Sequence, residues 1–149
     1  VADVRFYHLQ RRRLEDALPQ LLEKVLERGH RVVVRLSSPE RVAALDAHLW
    51  TYSADAFLPH GSAATGDAEL QPVWLTDGDD APNGADVLVL ADGAWGDDLG
   101  RFAIVCNLFD GNDDEAVRTA RERWRASKDA GHALTYWQQG ERGGWERKA

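Results

Sequence analysis

Apolar residues along this chain follow two rhythms, short unbroken runs and runs that return every three to four positions. Residues 4–9 (VRFYHL) form a short β-rich run and predict a first strand. Leu14, Leu18, Leu21, Leu22 and Val25 then recur at helical spacing, with Gly29 as the stop. Pro19 interrupts that pattern, so it also allows a start near Pro19 rather than at Leu14. Residues 31–36 (RVVVRL) predict a second strand, with Val32, Val33 and Val34 continuous enough to be buried on both faces. Ser37 and Glu40 have capping-box spacing around Pro39, and Val42, Leu45 and Leu49 carry a second helix to Trp50.

Residues 51–71 read as loop, rich in small and turn-forming residues. Residues 72–76, 87–91 and 102–107 predict three more short strands, separated by acidic, turn-rich segments at 77–86 and 92–100. Residues 112–131 (NDDEAVRTARERWRASKDAG) carry acids first, then Arg and Lys, then Gly131, the polarity of an amphipathic helix. At 100° per residue Val117, Ala120 and Trp124 share one face, and Arg118, Arg121, Arg125 and Lys128 form the adjoining stripe. Residues 132–138 (HALTYWQ) predict a last strand, and 140–149 read as a flexible tail around Trp145. Strands alternating with helices define an α/β fold, a single domain over 1–149 with an open, mostly parallel sheet flanked by helices.

Charge sharpens this picture more than composition does. The net charge is −7, yet residues 55–114 hold thirteen acidic residues and one basic, and residues 118–149 hold eight basic and four acidic. An acidic middle argues against wrapping a nucleic acid backbone, while the basic end suits a small acidic ligand. No run of about 18 apolar residues occurs, so no membrane span is expected. The first residues lack a secretory signal's apolar stretch, and the single cysteine, Cys106, lies in an apolar run and reads as a buried, inert thiol. A cytoplasmic location is the resulting expectation.

Catalytic signals are missing where such a fold would carry them. The turn after the first strand is Gln10-Arg11-Arg12-Arg13, too bulky for the G-x-G-x-x-G approach to a pyrophosphate. The phosphate-loop and nucleophile-elbow patterns are also absent. His8, His30, His48, His60 and His132 are scattered without metal-ligand spacing, and Asp77, Asp79 and Asp80 lack the closing Glu of a calcium loop. No cofactor and no metal are expected. Two alternatives stay open: a small α/β enzyme with a pocket among Asp92, Asp97 and Asp98, and a direct single-stranded DNA binder using Trp124 and the arginines. Trp124 itself reads equally as core or as display, and Trp50, Phe57 and Leu58 read either as a satellite cluster or as a partner patch.

Two motifs together carry a family resemblance. Residues 45–61 (LDAHLWTYSADAFLPHG) resemble the L-D-x-x-L-W … F-x-P-H segment of the chi subunit of bacterial DNA polymerase III holoenzyme. Residues 120–132 (ARERWRASKDAGH) resemble that family's late helix, A-R-E-R followed by an aromatic, a basic residue and later a Gly. The opening VRFYHL and the G-x-R-V run at 29–32 also sit in the family's order, so the likeness covers nearly the whole chain. It implies a Rossmann-like fold without a nucleotide site and a non-enzymatic adaptor in DNA replication. The implied partners are the acidic C-terminal tail of single-stranded DNA-binding protein and, in some bacteria, a psi subunit that connects to the clamp loader. Arg121, Trp124 and Arg125 match the tail-binding positions, with Lys128 further along the same stripe. Trp50 and Phe57 match the psi-facing aromatics, with Pro59 and His60 completing that motif. This chain departs from the family in having Trp124 where Tyr is frequent, and in its C-terminal extension with Tyr136, Trp137 and Trp145.

Overall fold

A computed structural model describes residues 2–10, 12–53, 58–140 and 144–149. In chain order the elements are β1 (Asp3–Leu9), α1 (Leu14–Glu27), β2 (Val32–Arg35), α2 (Pro39–Thr51), β3 (Gly61–Ser62), β4 (Val73–Thr76), β5 (Val87–Leu90), β6 (Ile104–Asp110), α3 (Asp114–Asp129), β7 (Ala133–Gln139) and β8 (Trp145–Arg147). The strands form one sheet in the order β3-β4-β2-β5-β6-β1-β7-β8. All pairings are parallel except β7 with β8. The α/β reading of one mostly parallel sheet flanked by helices therefore holds.

The side-chain period of two divides the core into two layers. Val32 and Val34 face α1 and α2, meeting Leu18, Leu22, Leu45 and Leu49, while Val33 faces the other way with Val4 and Phe6. All four β2 residues are buried, in keeping with the continuous run of Val32, Val33 and Val34. The second layer is closed by α3, through Val117, Ala120 and Trp124, and by the loops carrying Trp95 and Leu99.

Local chemistry sets the helix ends. At the close of α1, Gly29 adopts φ +83°, its N–H donates to the Leu26 carbonyl, and His30 N–H donates to the Val25 carbonyl. These paired bonds are a Schellman stop, which favours glycine because the left-handed region strains other residues. α1 begins at Leu14 and carries Pro19 within it. Ser38, not Ser37, caps α2: its hydroxyl accepts from Arg41 N–H at 3.2 Å. Pro39 at the first helical position places the cap one residue before itself.

Three features depart from the sequence expectation. The 51–71 segment contains the two-residue strand β3 and a 3₁₀ turn at Ala68–Leu70. β6 continues to Asp110, paired along all of β1. Within the stretch expected to be a flexible tail, Trp145–Arg147 instead forms β8 against β7, and the Trp145 ring packs edge-on to Tyr7 at 5.0 Å.

Candidate functional site

The cation stripe stands on α3, whose ends are set by charge and capping. The Asp113 side chain accepts from Glu115 N–H at 3.0 Å and Ala116 N–H at 3.4 Å, and Asp114 and Glu115 occupy the positive N-terminal turn. Lys128 lies in the last turn, and Gly131 at φ +86° ends the helix with the same paired bonds as α1. Ala120 and Ser127 are buried, Val117 and Trp124 half-buried. Arg118, Arg121, Arg125 and Lys128 are exposed. The stripe is a solvent-facing row beside the packed face.

Trp124 belongs to both. Its ring lies edge-on to Phe6 at 5.3 Å and to Tyr136 at 6.0 Å, and part of it still reaches the surface. Tyr136 in turn shares a 2.5 Å hydrogen bond with Nδ1 of His8. Burial pushes the Tyr136 phenol up, and the charge of Arg121 pulls it partly back. The structure thus gathers Arg121, Trp124 and Tyr136 around one rim, with Arg125 and Lys128 following along the helix.

Arg123 was not distinguished by sequence from its neighbours, yet it behaves differently. Its guanidinium lies 5.0 Å from the Trp95 ring centroid and donates to the Gly93 carbonyl at 2.8 Å. Burial holds its pKa below the usual arginine value. Arg123 ties α3 to the acidic loop. The only sequence signal is its position between Ala120 and Trp124 on the inward side.

The second candidate group gathers at the end of α2. Trp50 is half exposed, with its ring centroid 4.5 Å from that of His60. His60 lies beneath it, its side chain fully buried, and is a structural pin. Nδ1 faces the Leu58 carbonyl at 2.7 Å and Nε2 faces the Asp46 carbonyl at 3.1 Å. Pro59 is half-buried between them in sequence, and Phe57 lies outside the described residues. Trp50 is thus the exposed described member of that motif, while His60 holds the segment under it. The two groups lie apart: α2 contacts β3 and β4, whereas α3 contacts β1, β6 and β7 on the opposite face.

The carboxyl ends of the strands, where folds of this kind hold ligands, form a cleft of about 870 Å³. Arg41 spans it, donating to Asp92 at 2.7 Å and 3.2 Å and to Glu15 at 3.1 Å. In the neighbouring acidic loops the Asp98 carboxylate accepts from Arg35 at 3.0 Å and 3.2 Å and from Arg101 at 3.1 Å. Asp92 and Asp98 are therefore engaged by arginines. Among the described residues no group of three His, Cys, Asp or Glu side chains could hold a metal. Cys106 is buried, and burial pushes its thiol up to about 12, so it stays protonated and inert.

These features define the protein as an α/β domain on one mostly parallel sheet, with its strand-end cleft bridged by arginine–carboxylate pairs and two surface groups set apart. The chain belongs to the family described as "DNA polymerase III chi subunit, HolC", whose model matches residues 1–135. It is 33% identical over 84 residues to the probable DNA polymerase III subunit chi of Rickettsia prowazekii, covering 56% of this chain and 51% of that protein. It is 30% identical over 116 residues to DNA polymerase III subunit chi of Pseudomonas aeruginosa, covering 77% of this chain and 79% of that protein. The match thus spans about half the length of the Rickettsia relative. The family is that of a replication accessory subunit. None of the helices described is long and apolar enough to cross a membrane.

Proposed function

We propose that this protein is a non-catalytic replisome adaptor that binds the acidic C-terminal tail of single-stranded DNA-binding protein and links it to the DNA polymerase III clamp loader. Arg121, Arg125 and Lys128 hold the tail's carboxylates, and Trp124 supplies the apolar wall. The observation that carries this reading is the pairing of exposed cations with a half-buried Trp124 whose ring is held by Phe6 and Tyr136. A fixed aromatic wall loses little freedom on binding, and a guanidinium grips a carboxylate through two parallel hydrogen bonds. Affinity for a short tail is expected on the order of micromolar, about −8 kcal/mol, and weakens as salt rises. Trp50 and Phe57, with Pro59 and His60 supporting the segment, form the surface for a psi-type subunit. The placement of the two groups on opposite faces supports simultaneous binding of two partners.

Titration of a synthetic tail peptide by calorimetry tests the tail site. Arg121→Ala with Arg125→Ala should weaken binding tenfold or more, about 1.4 kcal/mol per tenfold. Unchanged affinity in that double variant sinks the assignment. Retention of an oligonucleotide by the wild type without any partner would favour direct DNA binding instead.

A further inference from the structure

The face of the sheet opposite α3 is incompletely covered. α1 leaves β1 towards β2, and among the described residues no helix lies over β7 and β8 on that side. The result is a groove of about 580 Å³ between the flank of α1 and the β1–β7–β8 edge. Its apolar surface includes Leu21 and Val25 from α1 and the half-buried rings of Trp137 and Trp145. Trp145 is set on edge against Tyr7, and the Trp137 indole N–H donates to Thr135 Oγ1 at 2.9 Å, so both rings are fixed. Trp137 and Trp145 both lie beyond residues 1–135, the part matched by the family.

Charge says what fits there. Arg5, Arg12, Lys24 and Arg28 line the groove, and among its described lining residues there is no Asp or Glu. Arg5 is paired with Asp3 at 2.9 Å, and Arg12 donates to Gln20 at 2.7 Å. Lys24 and Arg28 are exposed, one helical turn apart, and form no ion pair among the described residues. In a chain of net charge −7 this is a local concentration of positive charge around an aromatic floor.

We infer that this groove is a second docking site, for an acidic peptide segment of a partner protein that places one aromatic or large aliphatic side chain against Trp137 and Trp145 and its carboxylates on Lys24 and Arg28. A peptide is favoured over single-stranded nucleic acid because the exposed cations Lys24 and Arg28 form one spot a single helical turn across, whereas a nucleic acid strand needs a basic track along its backbone. A strand long enough to leave the groove would also run onto a chain of net charge −7, while a peptide of a few residues stays on the local cations. The site is separate from the α3 stripe, on the opposite side of the sheet, and does not depend on it.

The test follows the tryptophan indole N–H resonances of the full chain by NMR. The probe is the capped peptide Glu-Asp-Phe-Asp-Glu, which has no terminal carboxylate. It should shift Trp137 and Trp145 while leaving Trp50 in place, and should do so equally in the Arg121→Ala, Arg125→Ala background. Lys24→Glu with Arg28→Glu, both at exposed positions, should weaken the effect tenfold or more with the Trp124 resonance unmoved. Absence of a shift at Trp137 and Trp145 at millimolar peptide overturns the inference. So does equal affinity in the charge-reversed variant, or a shift with a ten-residue oligothymidylate in place of the peptide.

Discussion

Nε2 of His48, on α2, stands 2.6 Å from the backbone carbonyl oxygen of Glu15, in the first turn of α1. That carbonyl is the acceptor that the residue four positions on would normally satisfy, and the residue there is Pro19, which has no N–H. The imidazole therefore replaces a missing helix bond, and in doing so joins two helices. This is how α1 tolerates Pro19 in its body and still begins at Leu14.

The consequence is measurable. His48→Ala leaves the part-buried Glu15 carbonyl without its donor and should destabilise the protein by about 1–3 kcal/mol. Pro19→Ala restores an N–H in range of the same carbonyl, so the loss from His48→Ala should shrink in that background. A double-mutant cycle from urea unfolding reads the coupling. Equal losses in both backgrounds would show that His48 acts only by packing.

Sequence carried much of the architecture because most elements are set by local pattern. VVVR is a fully buried strand, and α3 announces both its ends through Asp113 and Gly131. β3 was not legible because two residues, Gly61 and Ser62, hold no alternation; their pairing with Trp74 and Leu75 is a tertiary fact. β8 was missed for the same reason, its strand character coming from β7 and from Tyr7. At the candidate sites, residue type was readable and burial was not. His60 sits in a surface motif yet is held inside by Leu58 and Asp46. Arg123 looks like its neighbours until Trp95 is brought beneath it.

A second prediction concerns Gly111, where β6 gives way to α3. A Cβ on this residue would fall 1.8 Å from two atoms of the His8 ring and 2.7 Å from the Leu9 carbonyl. Gly111→Ala must therefore push the ring off its bond to Tyr136. A loss of roughly 1–3 kcal/mol is expected, lowering the melting temperature by several degrees. Replacing the ring in the same chain, Gly111→Ala with His8→Ala, should recover part of it. No recovery would place the strain at the Leu9 backbone.

His8 also predicts a pH dependence. Its Nε2 is buried without a hydrogen-bond partner among the described residues, and burial holds its pKa below the ordinary value of 6.5. Between the folded and unfolded values the unfolded chain binds the extra proton, so stability is present above about 6.5 and falls as pH drops below it. Glu15, Asp80, Asp86 and Asp98 are also depressed, but their contributions are lost only as pH falls below the ordinary carboxylate range. Unfolding free energies at about pH 7 and about pH 5.5 isolate the imidazole window. The decline between them should be smaller in His8→Gln than in the wild type. An equal decline would show that His8 does not carry it.

The Arg35–Asp98 pair gives the largest expected effect. Arg35 is buried at the end of β2, with 4% of its side chain exposed, and Asp98 grips it through both carboxylate oxygens. The guanidinium in return holds the Asp98 carboxyl below its usual range. Gly96 belongs to the same arrangement, since a Cβ there would lie 2.5 Å from the Arg35 guanidinium. Removing one partner of a buried pair leaves an uncompensated charge, so Asp98→Ala should cost about 3–5 kcal/mol in urea unfolding. Removing both charges should cost less, because an apolar side chain of similar length needs no counter-ion; Arg35→Met with Asp98→Ala should recover part of the single-variant loss. If the double variant is as unstable as the sum of the singles, the guanidinium is held by packing rather than by Asp98. The peptide binding proposed for α3 should be unchanged in every variant that folds, since the polar partners of Arg35 and Asp98 are on the 98–101 segment and β2 and not on that helix's exposed stripe.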